Sequence, residues 1–141
     1  MASLFCYGTL QVPAVMQAVT GRVHTGIPAR LPGYARFCVK DADYPGIVPS
    51  KTDETDGILY DDISAPELAV LDRFEGEHYT RRMTQVLLED SSRAKAWTYV
   101  ITKGQERRLT DHPWRLDHFL ESGLSRFMHT YVEDRRKDYA Q

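Results

Sequence analysis

The strongest constraint on the fold lies in residues 71–82, Leu-Asp-Arg-Phe-Glu-Gly-Glu-His-Tyr-Thr-Arg-Arg, where a helix must end and a strand must begin. Upstream, Ser64-Ala65-Pro66-Glu67 reads as a helix start, because a serine at the cap and a glutamate three residues on can close a capping box. Leu68, Leu71 and Phe74 recur at helical spacing, and Gly76 supplies the stop. From Tyr79 the pattern becomes Thr-Arg-Arg-Met-Thr-Gln-Val-Leu-Leu, a strand. Glu75 therefore falls in the last helical turn, where the negative end of the helix dipole disfavours a carboxylate. Facing inward, it is expected to hold a proton more tightly and would suit a general base near neutral pH. Facing outward, it is an ordinary solvated helix-end residue.

The rest of the chain supplies strands and two further helices. Residues 3–7 predict a short strand, and Val12, Val15, Met16 and Val19 predict a helix that Pro13 can open and Gly21 can end. Tyr7, Gly8, Thr9, Leu10 and Gln11 then form a strand-to-helix loop. A glycine there lets backbone approach a ligand, and amide N–H groups near a helix start bind carboxylates or phosphates; a plain tight turn has the same sequence. Residues 22–31 and 34–39 read as strands joined by a turn at Pro32-Gly33, the first interrupted by Gly26 and Pro28. Residues 44–49 predict a short extended piece, 50–56 a polar tip and 57–60 a short strand. Residues 79–89 and 94–102 predict an antiparallel hairpin about Asp90-Ser91-Ser92, with Trp97, Tyr99 and Ile101 on one face. Residues 103–110 show no periodicity and read as a loop. Asp111 is a plausible cap for a long C-terminal helix whose stripe Leu116, Phe119, Leu120, Leu124, Phe127, Met128 and Tyr131 is a packing face, with Gly123 a point of bending. Residues 133–141 read as a frayed tail. Strand blocks mixed with about three helices, without regular βαβ alternation, define an α+β fold over a single domain, 1–141. A small curved mixed sheet closing toward a barrel would bring the first loop to the Glu75 end of its helix.

A chain of 141 residues is long enough for one sizeable core. Eighteen basic against 20 acidic residues leave a net charge of −2, which makes no electrostatic case for nucleic acid or an acidic membrane surface. No apolar run approaches the ~18–20 residues of a membrane span. The opening residues lack the basic and apolar regions of a secretory signal, so a cytoplasmic protein is expected, as a monomer or weak homodimer. Cys6 and Cys38 sit in strand-like stretches and read as buried free thiols; neither has a histidine at zinc spacing, so no metal and no cofactor is expected. Cys6 adjoins the first loop and is an alternative nucleophile, but on a strand it points opposite to Phe5 and Tyr7. His112 and His118 read as helix-surface residues.

Three stretches together resemble the gamma-glutamylcyclotransferase superfamily, in its AIG2-like branch. They are Phe5-Cys6-Tyr7-Gly8-Thr9-Leu10-Gln11, Tyr44-Pro45-Gly46-Ile47-Val48-Pro49, and Leu71-Asp72-Arg73-Phe74-Glu75-Gly76 with Tyr79 and Arg81. The helix from Pro113-Trp114 to Phe127-Met128 looks like the plant-type C-terminal helix. The resemblance implies a small barrel-like α+β fold and a cofactor-independent enzyme acting on a small γ-glutamyl substrate. In it, the loop of Tyr7, Gly8, Thr9, Leu10 and Gln11 holds the substrate, Glu75 is the proton acceptor, and Tyr79 matches the family tyrosine that follows the glutamate. The implied reaction is attack of the α-amine on its own γ-carbonyl, giving 5-oxoproline and a free amine. The sequence leaves the leaving group open. Two other readings fit the same residues: a non-catalytic module binding a small carboxylate in this pocket, and an interaction protein docking through Phe127, Met128 and Tyr131. Arg81 and Arg82 are expected to pair with Glu77 or Asp72; an Arg81 facing Glu75 would instead lower its basicity.

Overall fold

The computed structural model describes residues 1–133, so the expected frayed tail, 133–141, lies outside them apart from the backbone of Glu133. The strands are β1 (Ala2–Cys6), β2 (Ile27–Val39), β3 (Pro45–Ile63), β4 (Tyr79–Leu88), β5 (Arg93–Ile101) and β6 (Leu109–Pro113). The helices are α1 (Pro13–Thr20), α2 (Ala65–Glu75), α3 (Leu116–Ser122) and α4 (Leu124–Phe127). The strand order is β3-β1-β5-β4-β2-β6, and β2 also pairs with β3, so the first five close into a barrel with β6 appended to β2. β1 lies parallel to β5; the remaining pairs are antiparallel. This is the mixed, curved sheet of an α+β fold expected from the pattern.

Alternation along β1 divides the core in two. Leu4 and Cys6 face the helices, packing with Val15, Met16, Leu71 and Phe74. Phe5 and Tyr7 face the other way, into the barrel, among Leu31, Ile47, Val86 and Val100. The residue after this strand therefore emerges where the barrel interior meets the helical layer, which is where the first loop sits. The expected hairpin forms between β4 and β5, pairing Tyr79 with Ile101 and Leu87 with Arg93. Its second strand is buried on both faces, since Thr98 and Val100 are as inaccessible as Tyr99 and Ile101.

Several local expectations are corrected. Pro32-Gly33 does not join two strands: β2 runs continuously from Ile27 to Val39 along β3, and the register shifts between Pro32 and Tyr34. Gly33, at φ 86°, absorbs that irregularity instead of reversing the chain. The polar tip at 50–56 is likewise part of β3, an exposed stretch of a 19-residue strand. Residues 103–110 are not wholly loop, and Asp111 caps no helix: Leu109–Pro113 forms β6, pairing through Leu109 with Val39 and through Pro113 with Phe37. His112 accordingly lies on a strand. The long C-terminal helix is broken at Gly123 into α3 and α4 and continues as a wide π-helical turn, Met128–Glu133. No helix among the described residues is long and apolar enough to cross a membrane.

Candidate active site

The loop after β1 is a single 3-10 turn, Thr9–Gln11, running straight into α1. Its peptide planes are fixed one by one. Arg36 Nη1 donates to the Tyr7 carbonyl at 2.7 Å. Gln11 N–H donates to the Gly8 carbonyl and Val12 N–H to the Thr9 carbonyl, both at 3.1 Å. In a trans peptide the N–H points opposite to the preceding C=O. Holding the carbonyls of Tyr7, Gly8 and Thr9 therefore sets the directions of the N–H groups of Gly8, Thr9 and Leu10. The Tyr60 hydroxyl adds a hold on the Leu10 carbonyl at 3.1 Å. The result is a preorganised row of backbone donors, a form suited to an anion.

Glu75 is placed by a helix secured at both ends. At the start of α2 the expected capping box forms: Glu67 N–H donates to Ser64 Oγ at 3.2 Å, and Ser64 N–H to Glu67 Oε1 at 2.9 Å. Arg22 grips the same carboxylate with Nε and Nη2, each at 2.9 Å, and His24 Nε2 lies 3.0 Å from its other side. At the far end, Asp72 accepts from Arg81 Nε at 2.9 Å and from the Tyr99 hydroxyl at 2.7 Å. The Arg81 guanidinium also lies over the Trp97 ring, 4.3 Å from its centroid. Arg81 thus pairs with Asp72, as one of the two expected arrangements has it. Gly76 follows at φ 79°, a left-handed conformation that turns the chain sharply out of the helix toward β4.

Glu75 and the loop meet in one small inner cavity of about 30 Å³. Tyr7, Gly8, Thr9, Leu10 and Tyr79 line it with Glu75, but Gln11 does not. The Gln11 amide nitrogen is buried elsewhere, with no hydrogen-bond partner among the described residues. Sequence reasoning missed Tyr99 and the wall formed by Tyr44 and Pro45, although the last two lie in one of the motif stretches. It also missed Arg36 and Tyr60, whose hold on the loop depends on long-range pairing.

The cavity's tyrosines are structural in one respect. Tyr7 donates its hydroxyl proton to the Tyr99 carbonyl at 2.5 Å, and Tyr79 donates to the Pro45 carbonyl at 2.7 Å. With those protons committed, each phenol oxygen can only accept from a group in the cavity. Burial, reinforced by the Glu75 carboxylate, pushes the Tyr7 and Cys6 hydroxyl and thiol well up, so both stay neutral at physiological pH. Tyr79 is raised by burial and by neighbouring Tyr7 and Glu75, and Tyr99 by burial and its bond to Asp72. A neutral, buried Cys6 is a poor nucleophile. Glu75 is the charge that its neighbours feel.

Gly8 is a point of close approach. A Cβ there would come within 2.9 Å of the Pro45 ring, a rigid neighbour whose carbonyl anchors Tyr79. Gly8→Ala should therefore displace the cavity wall. Because misplacement by ~1 Å can cost about 10²-fold, any catalysis carried out in this cavity should fall by roughly that factor while circular dichroism stays unchanged. Retention of full activity in the alanine variant would mean the Pro45 contact does not shape the site.

Comparison with known proteins gives this geometry a family. Residues 4–116 match the family model "Gamma-glutamyl cyclotransferase, AIG2-like", and the chain belongs to that family. AIG2-like protein D of Arabidopsis thaliana is 41% identical over 105 residues, covering 73% of this chain and 69% of that protein. AIG2-like protein A of the same plant is 31% identical over 144 residues, covering 99% of this chain and 86% of its own. An Arabidopsis thaliana protein solved in solution superposes with a TM-score of 0.72 at 28% identity, over 97% of this chain and 92% of that one. A structure described as gamma-glutamyl cyclotransferase shares the fold at a TM-score of 0.64 and 16% identity, over 72% of this chain and 66% of that one.

Proposed function

We propose that the protein is a cofactor-independent gamma-glutamyl cyclotransferase. The reading is carried by one observation: Glu75 and the loop residues Gly8, Thr9 and Leu10 line the same cavity. The loop N–H groups hold the α-carboxylate of a γ-glutamyl compound. The α-amine, an ammonium at pH 7, is directed at Glu75, which takes its proton and frees the lone pair. The nitrogen then attacks the γ-carbonyl and closes a five-membered ring. The tetrahedral intermediate collapses with cleavage of the γ-carbonyl to leaving-nitrogen bond; Glu75 returns its proton to the departing nitrogen, and the second proton shed by the ring nitrogen leaves with the amine, which departs as an ammonium. Products are 5-oxoproline and a free amine or amino acid. The acceptor oxygens of Tyr7 and Tyr79 favour the cationic end of the substrate before that proton moves. Family membership supports the reaction class.

The test is incubation of the purified protein with glutathione, γ-glutamyl amino acids and γ-glutamylamines, followed by chromatographic detection of 5-oxoproline. Release from at least one compound is expected. Saturable binding of these compounds without release from any would replace the enzyme with a carboxylate-binding module.

A further inference from the structure

The inner cavity does not end at Glu75. An outer cavity of about 420 Å³ adjoins it and shares Thr9, Tyr44, Glu75 and Tyr79 as its neck. The inner space is on the scale of a water molecule or two, so it takes one ionic end of a ligand and no more. The remainder of any γ-glutamyl compound must extend past Glu75 into the outer cavity, whose volume is typical of small-ligand sites.

The outer cavity has an aromatic side and a polar side. Tyr44 and Tyr131 stand edge to face with centroids 5.3 Å apart, and Phe127 backs both, at 6.4 and 5.2 Å. Phe127 is only 2% exposed and acts as the fixed base on which the two half-buried tyrosines rest. Arg73, Glu77 and His78 supply its polar lining. Phe127 and Tyr131 come from the segment after α3, beyond the part of the chain that matches the family model. Tyr44 lies within the matched part, so the wall joins a residue of the family core to two from the C-terminal segment.

We propose, building on the cyclotransferase reading, that this outer cavity is the leaving-group subsite and that Tyr131 and Tyr44 select an aromatic or large apolar amino acid as leaving group. A flat or branched apolar side chain fills the space against the tyrosine rings and displaces water from it. A glycine or other small leaving group leaves the aromatic wall wet.

Calorimetric binding and 5-oxoproline release are measured for γ-glutamylphenylalanine and γ-glutamylglycine, with the wild type, Tyr131→Ala and Tyr131→Phe. The phenylalanine compound should bind the wild type about tenfold more tightly, the scale of one well-placed aromatic contact. Tyr131→Ala should raise its Kd and KM by about that factor with kcat little changed, leave the glycine compound unaffected, and be rescued by Tyr131→Phe. Equal affinity of the two compounds for the wild type, or an equal loss of both in Tyr131→Ala, would overturn the assignment. Tyr131-dependent preference for the phenylalanine compound without 5-oxoproline release would sustain the subsite and overturn the reaction instead.

Discussion

Replacing Glu75 by glutamine is expected to lower 5-oxoproline formation by about 10²–10⁴-fold, the usual cost of removing a general base. The amide keeps the size of the carboxylate and most of its hydrogen-bonding shape but cannot take the ammonium proton. The neighbouring acidic protons of the inner cavity are poorly placed to replace it. Cys6, Tyr7, Tyr79 and Tyr99 have their acidic protons held by burial, and in each case the Glu75 charge adds to that hold. The loss should appear mainly in kcat. On the proposed reading the α-carboxylate is held by the Gly8, Thr9 and Leu10 amides, whose directions are set by the bonds that Arg36, Gln11 and Val12 make to the preceding carbonyls. Steady-state kinetics on a turned-over γ-glutamyl substrate, with calorimetric binding alongside, checks both parts. Undiminished turnover in Glu75→Gln would show that another group takes the proton.

Much of this arrangement was legible because its causes are local. The Ser64–Glu67 capping box, the stop at Gly76 and the 79–101 hairpin follow from residues a few positions apart, and each forms as expected. The errors arose where local chemistry competes with long-range pairing. Pro32-Gly33 carries turn residues, yet β3 runs alongside on both sides of it, and a bulge satisfies more backbone groups than a reversal would. Leu109-Thr110-Asp111-His112-Pro113 lacks alternation and contains a proline, so only the free edge of β2 makes it a strand. The site divides the same way. Glu75 and the first loop stand out singly, as a charged residue at a helix end and a glycine between strand and helix. Tyr99 carries no local mark, because its role comes from a hydroxyl bonded to Asp72, 27 positions away in sequence. The outer cavity was the least visible part. Phe127 and Tyr131 read as a packing stripe, and that stripe does pack; one edge of it also faces the cavity.

The stability of α2 should depend on Glu67 in a pH-dependent way that a simple packing contact would not show. Burial alone would raise the Glu67 carboxyl, but the Arg22 guanidinium, Ser64 and His24 outweigh burial and hold it down to about 2. In the unfolded chain a glutamate titrates near ~4.3. A depression of that size corresponds to roughly 2–3 kcal/mol of folding stability, taken at the lower end of the linkage value because solvent screens the outer face of Arg22. The contribution is complete above the unfolded value, declines as pH falls below about 4.3, is about half gone near pH 3 and vanishes below about 2. Glu67→Gln keeps a carbonyl for the Ser64 N–H but cannot offer Arg22 two anionic oxygens. At pH 7 the variant should melt roughly 6–12 °C lower than the wild type, by the size scaling for a domain of this length. Between pH 5 and pH 3 the gap between the two melting temperatures should narrow to about half, because the wild type loses in acid what the variant lacks at every pH. Denaturation of both proteins across that range checks it: a gap that stays constant from pH 7 to pH 3 would mean that Glu67 stabilises the helix through shape and packing rather than through its charge. The same experiment bears on the site, since Glu75 closes the helix that Glu67 opens.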